Sequence, residues 1–553
     1  MEPGDRRDAH PLTALPRAPG AEGRDRRAAL AGALVAVLAL LVVAATFRDY
    51  GVTWDEGVQA RYGELVVDYF RSGLRDHRAD QFLSLRIYGP PFEAAAALIT
   101  APFPDAKWEL RHLLTALVGL LAVPGLIICA RAARMPRVGP VAAVALLTMP
   151  RYWGDLFANS KDVPFAAAFT LAMAALATVV TSPGRPVRTV VRAGLAIGGA
   201  AALRPGGLPL LVAMLLVSLV LSGGPVASLA AAARRGVDAL AKGVAALAVA
   251  WLVMIAFWPW AHVAPLSHPI AAMARAASLA KVYPVLFEGG VVPSNQLPAR
   301  YVAEFLLITT PLPLLTLAVA GLCVALRRQW RAPGSAAARV LLLLELWWLV
   351  PIAAAAVVRP NVYDGLRHFL FILPALALFA GLGALTIATA PRASTTRVLA
   401  TLAVVVALLW PVPALVRLHP YQYTYFNELV GGLAGASGRY ETDYWVASYR
   451  EAMRWIQDPA RARPDHRPLR VLVAANELSF TAAEAYAGPD VDLVRLTGPT
   501  TEDRLPDGID YFIATYRHGM NRTFPAAPVV HEIGRDGAVF TTIKAARGAK
   551  PTA

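Results

Sequence analysis

The sequence predicts a polytopic α-helical membrane protein with about eleven transmembrane helices and a small extracytoplasmic α/β domain at its C-terminal end. Three observations carry that reading. Of 553 residues, 56% are apolar and only 16% are charged, whereas roughly a quarter of a soluble globular chain is charged. The apolar residues fall in blocks of about 15 to 20, near the length that crosses a bilayer core. Short arginine clusters separate those blocks, as expected of cytoplasmic loops.

The net charge of +15 rests on 47 Arg and 6 Lys. Topology accounts for these residues, because they sit between hydrophobic blocks. No basic stripe with interleaved aromatics marks a nucleic-acid partner. Cys129 and Cys323 both lie inside apolar blocks, which excludes a zinc site and argues against a structural disulfide.

Residues 1–27, rich in Pro, Gly, Arg and Asp, read as a disordered cytoplasmic tail. The first apolar block, 28–47, exceeds a signal-peptide core and shows no small-residue cleavage site, so it reads as an uncleaved first span. Further spans are expected at 112–130, 138–150, 164–180, 193–203, 207–222, 243–258, 305–326, 340–358, 369–390 and 398–415, completing a membrane domain over 28–415. The clusters Arg131/Arg134/Arg137, Arg185/Arg188/Arg192, Arg234/Arg235/Lys242, Arg327/Arg328/Arg331 and Arg392/Arg397 are assigned to the cytoplasm with the N-terminus. An even number of passes must then separate neighbouring clusters. That parity makes 151–162 an external hairpin tip and puts Arg204-Pro205-Gly206 at another external turn. It also makes 48–111 and 259–304 long external loops, and it leaves 416–553 outside. In this last segment a helix is expected at 447–456, strands at 471–475, 491–496 and 511–515, and a hairpin joining 529–533 to 538–543.

The candidate chemistry lies on that outer face. Asp55, in Thr53-Trp54-Asp55-Glu56, follows the first span and is suited to take a proton from a hydroxyl nucleophile; the competing reading is a solvated acidic loop. Lys161 and Asp162 follow in the stretch Asn159-Ser160-Lys161-Asp162-Val163-Pro164, where Asp162 also suits a helix start. Asp364, Arg367 and His368 lie in an external turn leading into the tenth span. An arginine there offers a bidentate fork to a lipid phosphate, and snorkelling toward headgroups is the alternative. Glu345, within Leu344-Glu345-Leu346, is an ionisable group at membrane depth.

Together these motifs resemble the dolichyl-phosphate-mannose–protein mannosyltransferase-like group, glycosyltransferase family 39 and its bacterial relatives. The resemblance rests on Asp55-Glu56 after the first span, Tyr88-Gly89-Pro90-Pro91-Phe92, Trp108-Glu109-Leu110-Arg111-His112, the acid Asp162 before the fourth span, and Leu203-Arg204-Pro205. It covers about 28–225 well and the later spans loosely. It implies the C-type glycosyltransferase fold and transfer of a sugar from a polyprenyl-phosphate carrier to an extracytoplasmic acceptor glycan, lipid or protein. Asp55 would be the base, with Glu56 and Asp162 supporting it. Lys161, Arg204, Asp364, Arg367 and His368 would form the substrate-binding set, the cations facing the leaving phosphate. No cofactor is expected. A single phosphate can be met by Arg and Lys, so a divalent metal is neither required nor ruled out. A lipid or glycan flippase and an envelope scaffold are the rival readings. A flippase would be expected to place polar residues along the spans, near the midplane.

Overall fold

The computed structural model describes residues 21–182, 184, 186–223, 228–277, 281–391, 393–461, 467–475, 477–496 and 500–546. Residues 1–20 of the expected tail lie outside these, as do Arg185 and Arg392 of the arginine clusters. From Ala21 the chain is already helical, which takes 21–27 out of the expected disordered tail.

All eleven expected spans are helical, in three different ways. Eight helices among the described residues are long and apolar enough to cross a membrane, including Asp25–Thr46, Pro104–Ala132, Asp162–Thr181 and Arg367–Thr389. The expected spans at 138–150, 193–203 and 207–222 are the shorter helices Val138–Leu147, Val187–Leu203 and Leu208–Leu221. The expected span at 305–326 is corrected: Tyr301–Thr309 and Leu312–Arg331 are separate helices. Pro311 lacks the N–H that would continue the first of them, and it holds Thr310 extended.

Local chemistry sets several helix starts. Ser228 and Ser335 accept the backbone N–H of Ala231 and Ala338 at 3.2 and 3.1 Å, each satisfying one orphan donor. Leu373–Thr389 and Val412–Arg417 carry proline within their first two positions. Leu373–Thr389 and Asp162–Thr181 form the buried centre of the bundle, packed against Val138–Leu147 and Ala122–Ala132. Ala21–Thr46, Leu229–Ile255 and Ser394–Leu409 expose broad apolar faces, as lipid-facing helices do.

Two segments read as loops from sequence are built differently. Residues 48–111 hold the helices Glu56–Arg71 and Pro91–Thr100. The polar stretch 151–162, expected as an external tip, is packed inside the protein. Pro150 opens a helix, Pro150–Ala158, and every residue of that helix is buried. Gly154 makes this fit: a Cβ there would stand 2.2 Å from the backbone nitrogen of Tyr423.

A short hairpin, β1 (Pro284–Phe287) with β2 (Gly290–Pro293), lies in the 259–304 segment. The C-terminal part holds a five-stranded sheet of order β4-β3-β5-β7-β6. Its strands are β3 (Leu469–Ala474), β4 (Val491–Leu496), β5 (Tyr511–Thr515), β6 (Val529–Arg535) and β7 (Ala538–Ala545). β3 runs parallel to β4 and β5, while β7 is antiparallel to β5 and β6. The β6–β7 turn places Asp536 and Gly537 at φ 44° and 80°, the pair of positive angles that a two-residue hairpin requires. Period-two alternation splits the sheet's faces. Val471, Val473 and Ile513 join the core that runs down into the membrane helices, and Leu472, Ala474 and Phe512 form a separate outer cluster. Helix Tyr449–Ile456 joins the two parts, with the Tyr449 hydroxyl donating to the Ala474 carbonyl at 2.8 Å.

Candidate active site

Asp55 sits at the N-terminus of helix Glu56–Arg71, the end favoured by a negative charge. Its surroundings are not those of a solvated loop, since only 7% of the residue is exposed. The Trp54 backbone N–H donates to the Trp445 carbonyl at 3.2 Å, which closes the segment from above. Lys161 Nζ donates to Asp55 Oδ2 at 3.1 Å, and Arg367 Nη1 stands 3.5 Å from the same oxygen. Burial alone would raise the Asp55 carboxyl. The two cations outweigh that and hold it below its ordinary value.

Glu56 faces away from Lys161. It accepts the Thr53 backbone N–H at 2.8 Å and lies 3.2 Å from His112 Nε2. The first bond resembles a capping box, in which an acid secures its own helix start. Asp162 pairs with Arg204 and accepts from Asn159 Nδ2 at 3.1 Å. The Asn159 Oδ1 in turn accepts the Asp162 backbone N–H at 2.8 Å. Below them, Arg111 and Ser160 both donate to Glu93, at 2.5 and 2.7 Å.

Arg367 is buried, which corrects the snorkelling alternative. Its guanidinium lies over the rings of Trp445 (4.6 Å), Tyr363 (4.7 Å) and Trp54 (5.8 Å), stacking geometry that suits a planar cation. Its Nε is 3.4 Å from Asp364 Oδ2. Asp364 and Gly365 both adopt positive φ, 58° and 68°, a bend that Asp and Gly tolerate. The Gly365 N–H is held by the Tyr301 hydroxyl at 3.0 Å.

An apolar groove of about 470 Å³ opens beside this cluster. Leu210, Ala354, Val358 and Phe371 line its length, and Arg204, Tyr88 and His368 stand in it as well. The His368 Nδ1 is buried and has no hydrogen-bond partner among the described residues. Tyr88 and Arg204 also border a small enclosed space of about 20 Å³, together with Gln59, Ser160 and Lys161. There the buried Gln59 amide nitrogen has no partner either.

Thus Asp55, Lys161, Asp364 and Arg367 are one cluster, and Asp162, Arg204 and His368 adjoin it through Lys161 and the groove. Glu345 stands apart, bonded to Gln329 at 2.5 Å. Sequence reasoning missed Arg517 and Glu441. Arg517 Nη2 donates to Asp364 Oδ1 at 2.6 Å, and Glu441 Oε1 lies 3.9 Å from Arg517 Nε. Neither residue sits in a motif; only the closure of the sheet onto the membrane helices brings them in. Among the described residues no group of three or more His, Cys, Asp or Glu side chains is arranged to hold a metal ion.

Fold and site together define a polytopic membrane protein of the C-type glycosyltransferase fold. No family model and no curated protein matches the chain. Among solved structures it is similar to the Archaeoglobus fulgidus oligosaccharyltransferase in the apo form, with TM-score 0.50 and 12% identity over 88% of this chain and 69% of that one. The archaeal oligosaccharyltransferase AglB from the same organism, in complex with an inhibitory peptide and a dolichol-phosphate, gives TM-score 0.50 at 13% identity over the same shares. ArnT from Cupriavidus metallidurans bound to undecaprenyl phosphate aligns over 97% of this chain and all of that one, at 16% identity and TM-score 0.45.

Proposed function

We propose that the protein is a membrane glycosyltransferase that moves a sugar from a polyprenyl-phosphate donor to an acceptor on the extracytoplasmic side. The observation that carries this reading is the apolar groove that runs to Arg204 and His368 and adjoins Lys161 and Asp55. An isoprenoid chain matches the groove's apolar walls, and a phosphate matches the cations at its end. The AglB structure described above, of the same fold, holds a dolichol-phosphate.

In this reading Asp55 accepts the proton of the acceptor hydroxyl as its oxygen attacks the anomeric carbon. The bond from that carbon to the phosphate oxygen breaks, and the lipid monophosphate leaves with the electron pair. Arg204, Lys161 and His368 face the leaving phosphate. Lys161 and Arg367 together keep Asp55 ionised, and ionisation is what a base requires. Glu56 and Asp162 act as supports, Glu56 for the helix start and Asp162 for Arg204. The N-terminus and the arginine clusters lie in the cytoplasm, and the C-terminal sheet lies outside with the site.

The test is transfer by the purified protein in proteoliposomes, using a panel of polyprenyl-phosphate-linked sugars and envelope acceptors. Wild-type transfer that Asp55→Asn abolishes is expected. Movement of the lipid-linked sugar across the bilayer without any transfer would overturn the proposal in favour of a flippase.

A further inference from the structure

We infer that Arg517, supplied by the C-terminal sheet, is a positioning residue of the active site: it neutralises Asp364 from above and so leaves Arg367 facing Asp55. The inference rests on the glycosyltransferase reading above and deepens it by giving the C-terminal sheet a part in the reaction.

Arg517 lies two residues beyond the end of β5, and its backbone N–H donates to Thr515 Oγ1 at 3.1 Å. The next two residues, His518 and Gly519, take φ of 57° and 70° and turn the chain away. The side chain therefore starts from a fixed point. Its fork is fully used: Nη2 donates to Asp364 Oδ1 and Nη1 to the Tyr444 carbonyl, both at 2.6 Å. The guanidinium also lies 5.7 Å from the Trp54 ring centroid, and Arg367 lies 5.8 Å from the same centroid. Trp54 is the residue before Asp55.

Asp364 is fully buried and has two cations within reach, Arg517 at 2.6 Å and Arg367 at 3.4 Å. A buried carboxylate cannot remain without a close cation, because water does not replace the lost partner. With Arg517 absent, Arg367 is the remaining cation beside Asp364, since Glu441 offers only a hydrogen bond, and it closes on Asp364. That movement lengthens its 3.5 Å contact with Asp55. Arg517 touches neither the groove nor the acid, so it acts through Asp364 and Arg367. The C-terminal sheet is then a working wall of the site and not a detachable acceptor-binding module.

The experiment is a double-mutant cycle on the full chain in nanodiscs, reading kcat and donor KM with the polyprenyl-phosphate-linked hexose of the panel above that the wild type transfers fastest. Arg517→Gln is expected to lower kcat about tenfold, a typical coupling for residues in one ion-pair network, with donor KM little changed. Arg517→Lys should recover most of the loss, because it restores the cation beside Asp364. In an Asp364→Asn background Arg517→Gln should add nothing. Wild-type kcat in Arg517→Gln, or the same tenfold loss in the Asp364→Asn background, would overturn the inference. If Arg517→Gln does not fold, the neutral variant Arg517→Met takes its place in the cycle and is read on the same criterion. Absence of transfer by the wild type itself counts against the glycosyltransferase reading, not against this one.

Discussion

Lys161 Nζ lies 3.1 Å from Asp55 Oδ2, although the two residues are 106 positions apart in the chain. The contact joins the start of helix Glu56–Arg71 to the start of helix Asp162–Thr181. It gives a nearly buried carboxylate the charge it needs to remain ionised. It also brings the groove's cationic end next to the carboxylate proposed as the base.

Asp55→Asn keeps the side chain's shape and removes its basicity. Loss of a general base typically costs about 10² to 10⁴ in rate, so turnover should fall at least about a hundredfold. The change also leaves two cations beside a neutral group, but Arg367 retains Asp364 and Lys161 is partly exposed. The variant should therefore extract as a folded protein. Glu56→Gln should cost less turnover and more stability, because Glu56 is spent on Thr53 and His112. Transfer assays and melting curves on both variants check this, and near-normal transfer by Asp55→Asn would refute the base assignment.

A pH profile tests the same pair. The Asp55 carboxyl is held below its ordinary value, with burial opposing and Lys161 and Arg367 prevailing. Its ionised form, and the stability that form contributes, is fully present above the ordinary carboxylate range. Both are lost only as pH falls through the lowered folded value. Lys161→Met removes one cation and leaves burial less opposed, so the carboxyl rises. The acid limb of kcat/KM should move to higher pH in Lys161→Met. An unmoved limb would separate Lys161 from the base.

The parts legible in the sequence were those with a local pattern. The strands at 491–496 and 511–515 and the 538–543 arm of the hairpin show it: alternation and turn residues named them, and the sheet contains them. Hydropathy located the spans, since lipid demands a local signature. Parity of the passes made 151–162 an external tip but carried no information about its burial, which depends on distant partners. Here Arg151 bonds to the Tyr444 hydroxyl at 2.8 Å, and Asp155 accepts from Trp445 Nε1 at 3.3 Å. Those partners lie some 290 residues downstream and leave no trace in a window. Arg517 was illegible for the same reason: its partner Asp364 is in another part of the fold.

The groove makes a prediction that does not touch the acid. Ala354 lines it and is exposed, so Ala354→Trp fills the path without crowding the buried core. Donor KM should rise for a long polyprenyl chain and stay near wild type for a short-chain analogue. Arg204→Ala should weaken both, by roughly ten- to a hundredfold, the worth of a charge-assisted hydrogen bond. Equal effects of Ala354→Trp on both chain lengths would mean that the groove does not hold the tail.

The last prediction concerns stability and Glu441. Burial pushes this carboxyl up to about 8; Arg517 opposes the shift, and the nearby Asp364 adds to it. The folded protein therefore holds a proton that the unfolded chain releases near 4.5. For a group raised in this way, the stabilising contribution is complete below the unfolded value. It is lost as pH rises toward the folded value, at up to about 1.4 kcal/mol per pH unit. Asp155, raised to about 6 by burial, has the same sign but finishes lower. His518, lowered to about 4 by burial, has the opposite sign, and its change ends near its ordinary 6.5. Between about pH 6.5 and 8 Glu441 is thus the main source of slope among these three. The melting temperature of the wild type should fall across that interval. Glu441→Gln keeps a neutral side chain of the same shape and should flatten the fall, while Asp155→Asn should leave it in place. Melting curves of the three proteins in one detergent, at fixed ionic strength, decide the matter; a Glu441→Gln profile as steep as the wild type would show that Glu441 is already ionised below pH 6.5.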